Sequence, residues 1–268
     1  MIAPHRNTPK PWLGSRPWLA AQAEVVIPVI DCSDTIGEVI ELLRLQTVRC
    51  HIVLIDTGST PRELALLLDR RADDVEIHQV HAAGWVHPSA PVAAALDLAL
   101  SLCRTPVQVL THQDCFLRRR EALEDLVERT TSVTPWVGYR ITERAIPDWQ
   151  LMTGHTWTGL YVSRIRETHA RWGLDLSGRD LAQLSRHNWD TEYTFCRALR
   201  DAGISPVFLG EEKNYQRNQD DTIDHVRSWP SSGLYSDQHR EKAKEWMTSA
   251  LDEARGRIRQ WREEAATR

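Results

Sequence analysis

VVIPVIDCSDTIGEVIELLRLQTVRCHIVLIDTGST, residues 25 to 60, decides the fold of this chain. Its two ends, VVIPVI and HIVLID, are short unbroken apolar runs rich in β-branched residues, the pattern of strands buried on both faces. Between them Thr35 to Gln46 carries Ile36, Val39, Ile40 and Leu43 at helical spacing. A strand, a helix and a strand of this kind predict parallel pairing through a right-handed crossover.

Working outward, Ser59 or Thr60 ahead of Pro61 reads as an N-cap followed by proline at the first helical position, opening a helix to about Arg70. VEIHQVH (Val75 to His81) predicts a third strand, residues 82–89 a Gly/Pro loop, Pro91 to Cys103 a helix and Pro106 to Thr111 a strand. Repeated β-α units predict an α/β fold with a mixed, mainly parallel central sheet flanked by helices. A helix over Arg119 to Thr130 and a strand over Trp136 to Thr142 follow. The stretch Ile146 to Gly178, with tryptophans, glycines and a helical segment at Arg164 to Trp172, reads as a lid or acceptor region outside the sheet. Asp190 to Ala202 predicts an amphipathic helix stopped by Gly203, and ISPVFLG (Ile204 to Gly210) a last strand.

The flanks differ in kind. Residues 1–22 are punctuated by proline and tryptophan and read as an extended arm anchored by Trp12 and Trp18. Residues 236–268 form a charged helical tail with sparse apolar positions at Trp246, Leu251, Ile258 and Trp261, suited to packing on the domain or pairing two copies as a homodimer. The central domain is expected over 23–235, in two halves, 23–118 and 119–235.

Composition narrows the class. At 41% hydrophobic and 26% charged, 268 residues suffice for a globular core, and a net charge of −4 gives no long-range pull toward nucleic acid. No apolar run reaches the roughly 18 residues of a membrane span, and the N-terminus lacks a signal-peptide core, so a cytoplasmic protein, in contact with a membrane at most peripherally, is expected. Cys32, Cys50, Cys103, Cys115 and Cys196 are scattered without zinc or disulfide spacing and are expected to be reduced, mostly core residues. Only four of the 33 basic residues are lysine, a bias that points to a GC-rich bacterial or phage genome. Some of the eleven tryptophans are expected to line a groove, where indole covers the apolar face of a sugar.

Two acids close buried runs: Asp56 ends HIVLID, and Asp114 follows VQVLT in VQVLTHQDCFL (Val107 to Leu117). Ligands of open α/β sheets bind outside the carboxyl ends of the strands, so both acids face one crevice suited to a nucleotide and a metal.

With these residues in view, the chain resembles family 2 glycosyltransferases of the GT-A fold over about residues 24 to 228. The resemblance rests on VVIPVID with the later LQT (Leu45 to Thr47), on VLIDTGST, on the DxD-like His112-Gln113-Asp114, and on WDTEYTFCRALRDAG (Trp189 to Gly203). It implies a nucleoside-diphosphate sugar donor, a divalent cofactor, Mn²⁺ or Mg²⁺, and a glycan, lipid-linked or protein acceptor. By the resemblance, Pro28, Val29 and Asp31 wall the base, Asp56 accepts from it, and His112 and Gln113 lie beside the nucleotide. Asp114 holds the metal, His225 in the loop-like segment DDTIDHVRSW joins it, and Arg227 contacts phosphate. Asp190, with Glu192 as its rival, is the base that deprotonates the acceptor in an inverting displacement. Trp157, His155 and Trp149 are the acceptor-side candidates. The family's first DxD acid is replaced here by His112, which puts the ribose contact in doubt and favours Mn²⁺.

The residue-level reading of Asp56 also allows a plain turn-former of Asp-Thr-Gly-Ser. A non-catalytic nucleotide-sugar-binding or scaffold protein of the same fold is the alternative function. A nucleotidyltransferase lacks support because no Gly-rich basic loop follows the first strand, and a dehydrogenase because no GxGxxG does.

Overall fold

A computed structural model describes residues 21–80, 90–142, 156–172, 199–213, 217–226 and 237–267. Their core is a seven-stranded sheet in the order β3-β2-β1-β4-β7-β6-β8. Here β1 is Ala23–Val29, β2 Cys50–Asp56, β3 Val75–Gln79, β4 Val107–Thr111, β6 Trp136–Thr142, β7 Trp157–Tyr161 and β8 Val207–Lys213. β1, β2, β3 and β4 run parallel, and β6 is parallel to β8; β7 alone opposes its neighbours β4 and β6. The expected mixed, mainly parallel α/β sheet is thus the architecture.

Alternation along the strands builds two cores. Val25, Ile27, Val29, Ile52 and Leu54 face one side and pack with Ile36, Val39, Ile40 and Leu43 of α1 (Ile36–Arg44). Val26, Val53 and Ile55 face the other side and pack with Ala95, Leu96 and Ala99 of α3 (Ala90–Leu102) and Ile165 of α5 (Val162–Trp172). A strand buried on both faces must be apolar at every position, which is why its sequence shows no alternation. α2 (Pro61–Leu68) begins at Thr60, whose hydroxyl accepts from the Glu63 amide at 3.4 Å, and α4 is Ala122–Arg129.

One expectation is corrected. The part of the 146–178 stretch read as a lid includes β7, which lies inside the sheet between β4 and β6. Trp157 is 1% exposed and packs in the core, as do Trp136 and Trp261, so none of these three offers a ring to a groove. Tryptophan's large apolar area outweighed its polar N–H at these positions. Gly159 shows how tight the seam is: a Cβ there would lie 2.2 Å from Thr130 Oγ1.

A second, three-stranded antiparallel sheet has the order β5-β10-β9, with β5 Cys115–Leu117, β9 Arg217–Gln219 and β10 Ile223–Val226. Its register sets His225 opposite Cys115 and Asp224 opposite Phe116. α6 (Asp237–Ala266) is the helical tail. Ala243, Met247, Ala250, Ala254, Ile258 and Trp261 form its buried stripe, and this packs on α1 and the small sheet of the same chain. At the rim of this contact Arg255 reaches Glu38 at 2.8 Å and Arg262 pairs with Glu41, exposed pairs that add little to the buried stripe. Arg217 on β9 binds buried Asp224 at 2.5 Å and Glu253 of α6 at 2.9 Å. No helix of the described residues is long and apolar enough to cross a membrane.

Candidate functional site

The carboxyl ends of β1, β2 and β4 meet at one edge of the sheet, and three loops there are tied together. The Gln113 side chain accepts from the Ile30 amide (2.8 Å) and donates to the Ile30 carbonyl (3.0 Å). Asp31 sits at φ 42°, a left-handed conformation that asparagine and aspartate tolerate better than most residues. Its amide donates to Ser59 Oγ at 2.8 Å, and its carboxylate accepts from the Thr60 amide at 2.8 Å. Ser33 donates its amide to Glu63 at 3.2 Å. The loop after β1 is therefore a rigid ledge beside the crevice, leaving the Ile30 side chain 38% exposed on it.

Asp56 is 2% exposed at the end of β2. One carboxylate oxygen accepts from the Ser59 amide (3.0 Å) and the other from Gln79 (3.3 Å). The turn-forming role is thus realised in the structure, and a base would have to share these oxygens. Val29 points into the core, and its carbonyl is taken by the Thr57 amide and hydroxyl at 2.9 and 3.0 Å. Pro28 is half-buried. Gln113 is spent on the Ile30 backbone, so of the residues expected near the nucleotide, Gln113 and Asp31 shape the ledge by their hydrogen bonds.

At the end of β4 the chain turns from the large sheet into the small one, and the turn closes with the Cys115 amide on the His112 carbonyl (3.2 Å). β10 docks alongside, its Val226 amide on the Asp114 carbonyl (3.1 Å). This joins His112, Asp114 and His225, with one ligand atom from each lying within 4.8 Å of the others. Asp114 Oδ1 is 3.4 Å from His225 Nε2 and 4.0 Å from His112 Nδ1. The two imidazoles meet edge to face at 5.1 Å. His225 is 1% exposed and Asp114 6%, whereas the His112 side chain is 32% exposed, so the cluster opens to solvent at His112. Burial disfavours the charge on Asp114, but the neighbouring His225 and His112 outweigh it and hold the carboxyl below the usual aspartate range.

His225 stands on a strand, not in a loop as its sequence suggested; the pairing of β10 with β5 is what aims it. Behind it, Thr156 Oγ1 meets His225 Nδ1 at 3.3 Å, and the Thr156 carbonyl accepts from Thr111 Oγ1 at 2.7 Å. Sequence reasoning missed Thr156. It expects His112 beside the nucleotide; the turn between β4 and β5 brings its Nδ1 to 4.0 Å from Asp114 Oδ1. Asp190, Glu192, Trp149, His155 and Arg227 lie outside the described residues. Cys32, Cys50, Cys103 and Cys115 form no disulfide among the described residues; burial, reinforced by Asp56, pushes Cys32 up to about 12, which removes it as a nucleophile at neutral pH.

No family model matches the chain, and no curated protein matches it in sequence. Among solved structures it is similar to the mannosyltransferase PcManGT from Pyrobaculum calidifontis in complex with GDP-Man and Mn²⁺, with 14% identity, a TM-score of 0.51, and 76% of this chain and 60% of that chain covered. It is also similar to residues 1–349 of TarS from S. aureus in complex with UDP-GlcNAc, with 13% identity, a TM-score of 0.48, and 86% and 66% of the two chains covered. The chain spans less than two thirds of the length of each of these. At this identity the first likeness establishes the fold, the GT-A arrangement of a mainly parallel sheet under helices.

Proposed function

We propose that this protein is a glycosyltransferase that moves a sugar from a nucleoside-diphosphate sugar to an acceptor hydroxyl, assisted by a divalent cation. The observation that carries this reading is the buried Asp114–His225 pair, opening through His112 at the carboxyl ends of β1 and β4, beside a ledge fixed by Gln113 and Asp31. The donor set suits such an ion: one carboxylate and imidazole nitrogens, with Nδ1 of His225 engaged by Thr156 and Nε2 turned to Asp114. When bound, the cation neutralises the charge that develops on the departing nucleoside diphosphate.

The chain's own residues do the rest. The ledge from Ile30 to Asp31 orients the base against the end of β2, where Asp56 keeps an oxygen lone pair for a base N–H. Asp190 takes the acceptor proton as the hydroxyl attacks from the side opposite the leaving group, so the configuration inverts; Glu192 is the nearest rival. His155 and Trp149 are acceptor-side candidates, and a glycan, lipid-linked or protein acceptor fits the reading. Trp157 is withdrawn from that role because its ring is in the core.

A screen of UDP, GDP, dTDP and CDP with Mn²⁺, Mg²⁺ or EDTA by thermal shift and calorimetry tests the proposal. One nucleotide should raise the melting temperature in a metal-dependent way, and Asp190→Asn should keep that shift while losing transfer by orders of magnitude. No shift for any nucleotide would favour a non-catalytic scaffold of the same fold.

A further inference from the structure

We infer that His112, Asp114 and His225 together form a seat for a transition-metal ion that is occupied without any nucleotide, so that the ion is resident in the protein and does not arrive with the donor. This deepens the proposed function and rests on its reading of the crevice as metal-bearing, but it assigns His112 to the ion and removes it from the nucleotide.

The geometry supports three protein ligands. Donor atoms bound at about 2.1 Å from one ion lie about 3.0 Å apart at right angles and about 4.2 Å apart when opposite. The His225–Asp114 and His112–Asp114 spacings of 3.4 and 4.0 Å fall in that range. The third spacing lies within 4.8 Å, and His112, partly exposed at 32%, is the ligand that would adjust on binding. All three side chains come from backbone already fixed: His112 opens and Asp114 lies within the turn closed by Cys115, and His225 is held by β5 on one edge and β9 on the other. A seat that is ordered beforehand loses little conformational freedom on binding, so it does not need a diphosphate to complete it.

The chemistry then selects the ion. Two imidazoles and one carboxylate suit Mn²⁺, Fe²⁺, Co²⁺ and Zn²⁺. Mg²⁺ prefers oxygen ligands, gives up its water reluctantly and gains little from imidazole nitrogen. The Thr156 hydroxyl at Nδ1 of His225 fixes the ring so that Nε2 faces the ion, and Thr111 in turn fixes Thr156. The solvent-exposed side of His112 leaves the remaining coordination positions facing the crevice, where donor oxygens would enter.

The full-length protein, stripped with chelator and dialysed, is titrated with Mn²⁺, Zn²⁺ and Mg²⁺ in the absence of nucleotide. Calorimetry and loss of the free Mn²⁺ electron paramagnetic resonance signal are the readouts. Mn²⁺ and Zn²⁺ should bind one per chain, and Mg²⁺ at least 100-fold more weakly. Bound Mn²⁺ should show hyperfine coupling to two imidazole nitrogens, falling to one in His112→Ala together with at least a tenfold loss of affinity. His112→Asp should narrow the gap between Mn²⁺ and Mg²⁺. Mn²⁺ uptake only in the presence of a nucleotide, or an unchanged His112→Ala, would overturn the inference while leaving the transferase reading standing. Nucleotide-free uptake with no response to any nucleotide would uphold the inference and sink the transferase reading.

Discussion

Gln113 grips the peptide backbone of Ile30 at both its amide and its carbonyl, 2.8 and 3.0 Å, across 83 residues of sequence. The side chain next to the metal-candidate Asp114 is therefore the clamp for the loop after β1, and the two halves of the crevice are mechanically one piece.

Replacing Gln113 with Ala should free that loop. The lost pair of hydrogen bonds should cost about 1–2 kcal/mol in urea unfolding. Nucleotide affinity should fall at least several-fold, with nucleotide-free Mn²⁺ affinity unchanged. Wild-type nucleotide affinity in the variant would show that the Ile30 ledge takes no part in binding.

Gly159→Ala should be strongly destabilising, because its Cβ would meet Thr130 Oγ1 at 2.2 Å and Leu126 Cδ1 at 3.2 Å. Overpacking of this kind costs about 1–3 kcal/mol. Adding Thr130→Ala should recover part of the loss, which a double-mutant cycle by thermal denaturation would measure; strict additivity would place the strain elsewhere.

Arg217→Met leaves Asp224, whose side chain is wholly buried, without its cationic partner. Breaking such a pair costs about 3–5 kcal/mol. The double variant with Asp224→Asn should regain most of it, and a single variant as stable as wild type would refute the role of this pair in joining β9, β10 and α6.

Glu24 provides a pH test. Burial at 1% exposure raises its carboxyl above the ordinary value, although His51 and Arg104 oppose the shift. The folded state then holds the proton more tightly than the unfolded state, so this group's contribution to stability is full below the unfolded value of 4.5 and is lost as pH rises through the folded one. Glu24→Gln should match wild type in melting temperature near pH ~4 and exceed it near pH ~7.5. A constant difference across that range would show that Glu24 ionises freely.

Local pattern made most of the sheet legible. β1, α1 and β2 follow from apolar runs and helical spacing, and Thr60-Pro61 marks the start of α2, because these signals lie within a few residues of one another. β7 was misread for the opposite reason. Its Trp157-Thr158-Gly159 segment carries a glycine in mid-strand, which weakens the local pattern, and its place between β4 and β6 is set by partners distant in sequence. Gly159 is required by the close approach of α4, which no local pattern reports. The site divides the same way. Asp56 and Asp114 announce themselves as strand-end acids, whereas the contact of Thr156 with His225 and the clamp of Gln113 on Ile30 exist only once the two sheets are assembled.

The antiparallel ladder between β5 and β10 has a chemical meaning beyond support. Successive residues of β10 point to opposite faces, so the hydrogen-bond register alone decides that His225, and neither Asp224 nor Val226, is presented to Asp114. A one-residue insertion in the bend between β9 and β10 would slide the ladder so that Asp224 takes the place of His225, and a one-residue deletion would put Val226 there, in neither case altering a side chain of β10. The set of donor atoms at this cluster is in this sense written in strand alignment as much as in residue identity, and the bend between β9 and β10 holds the pen.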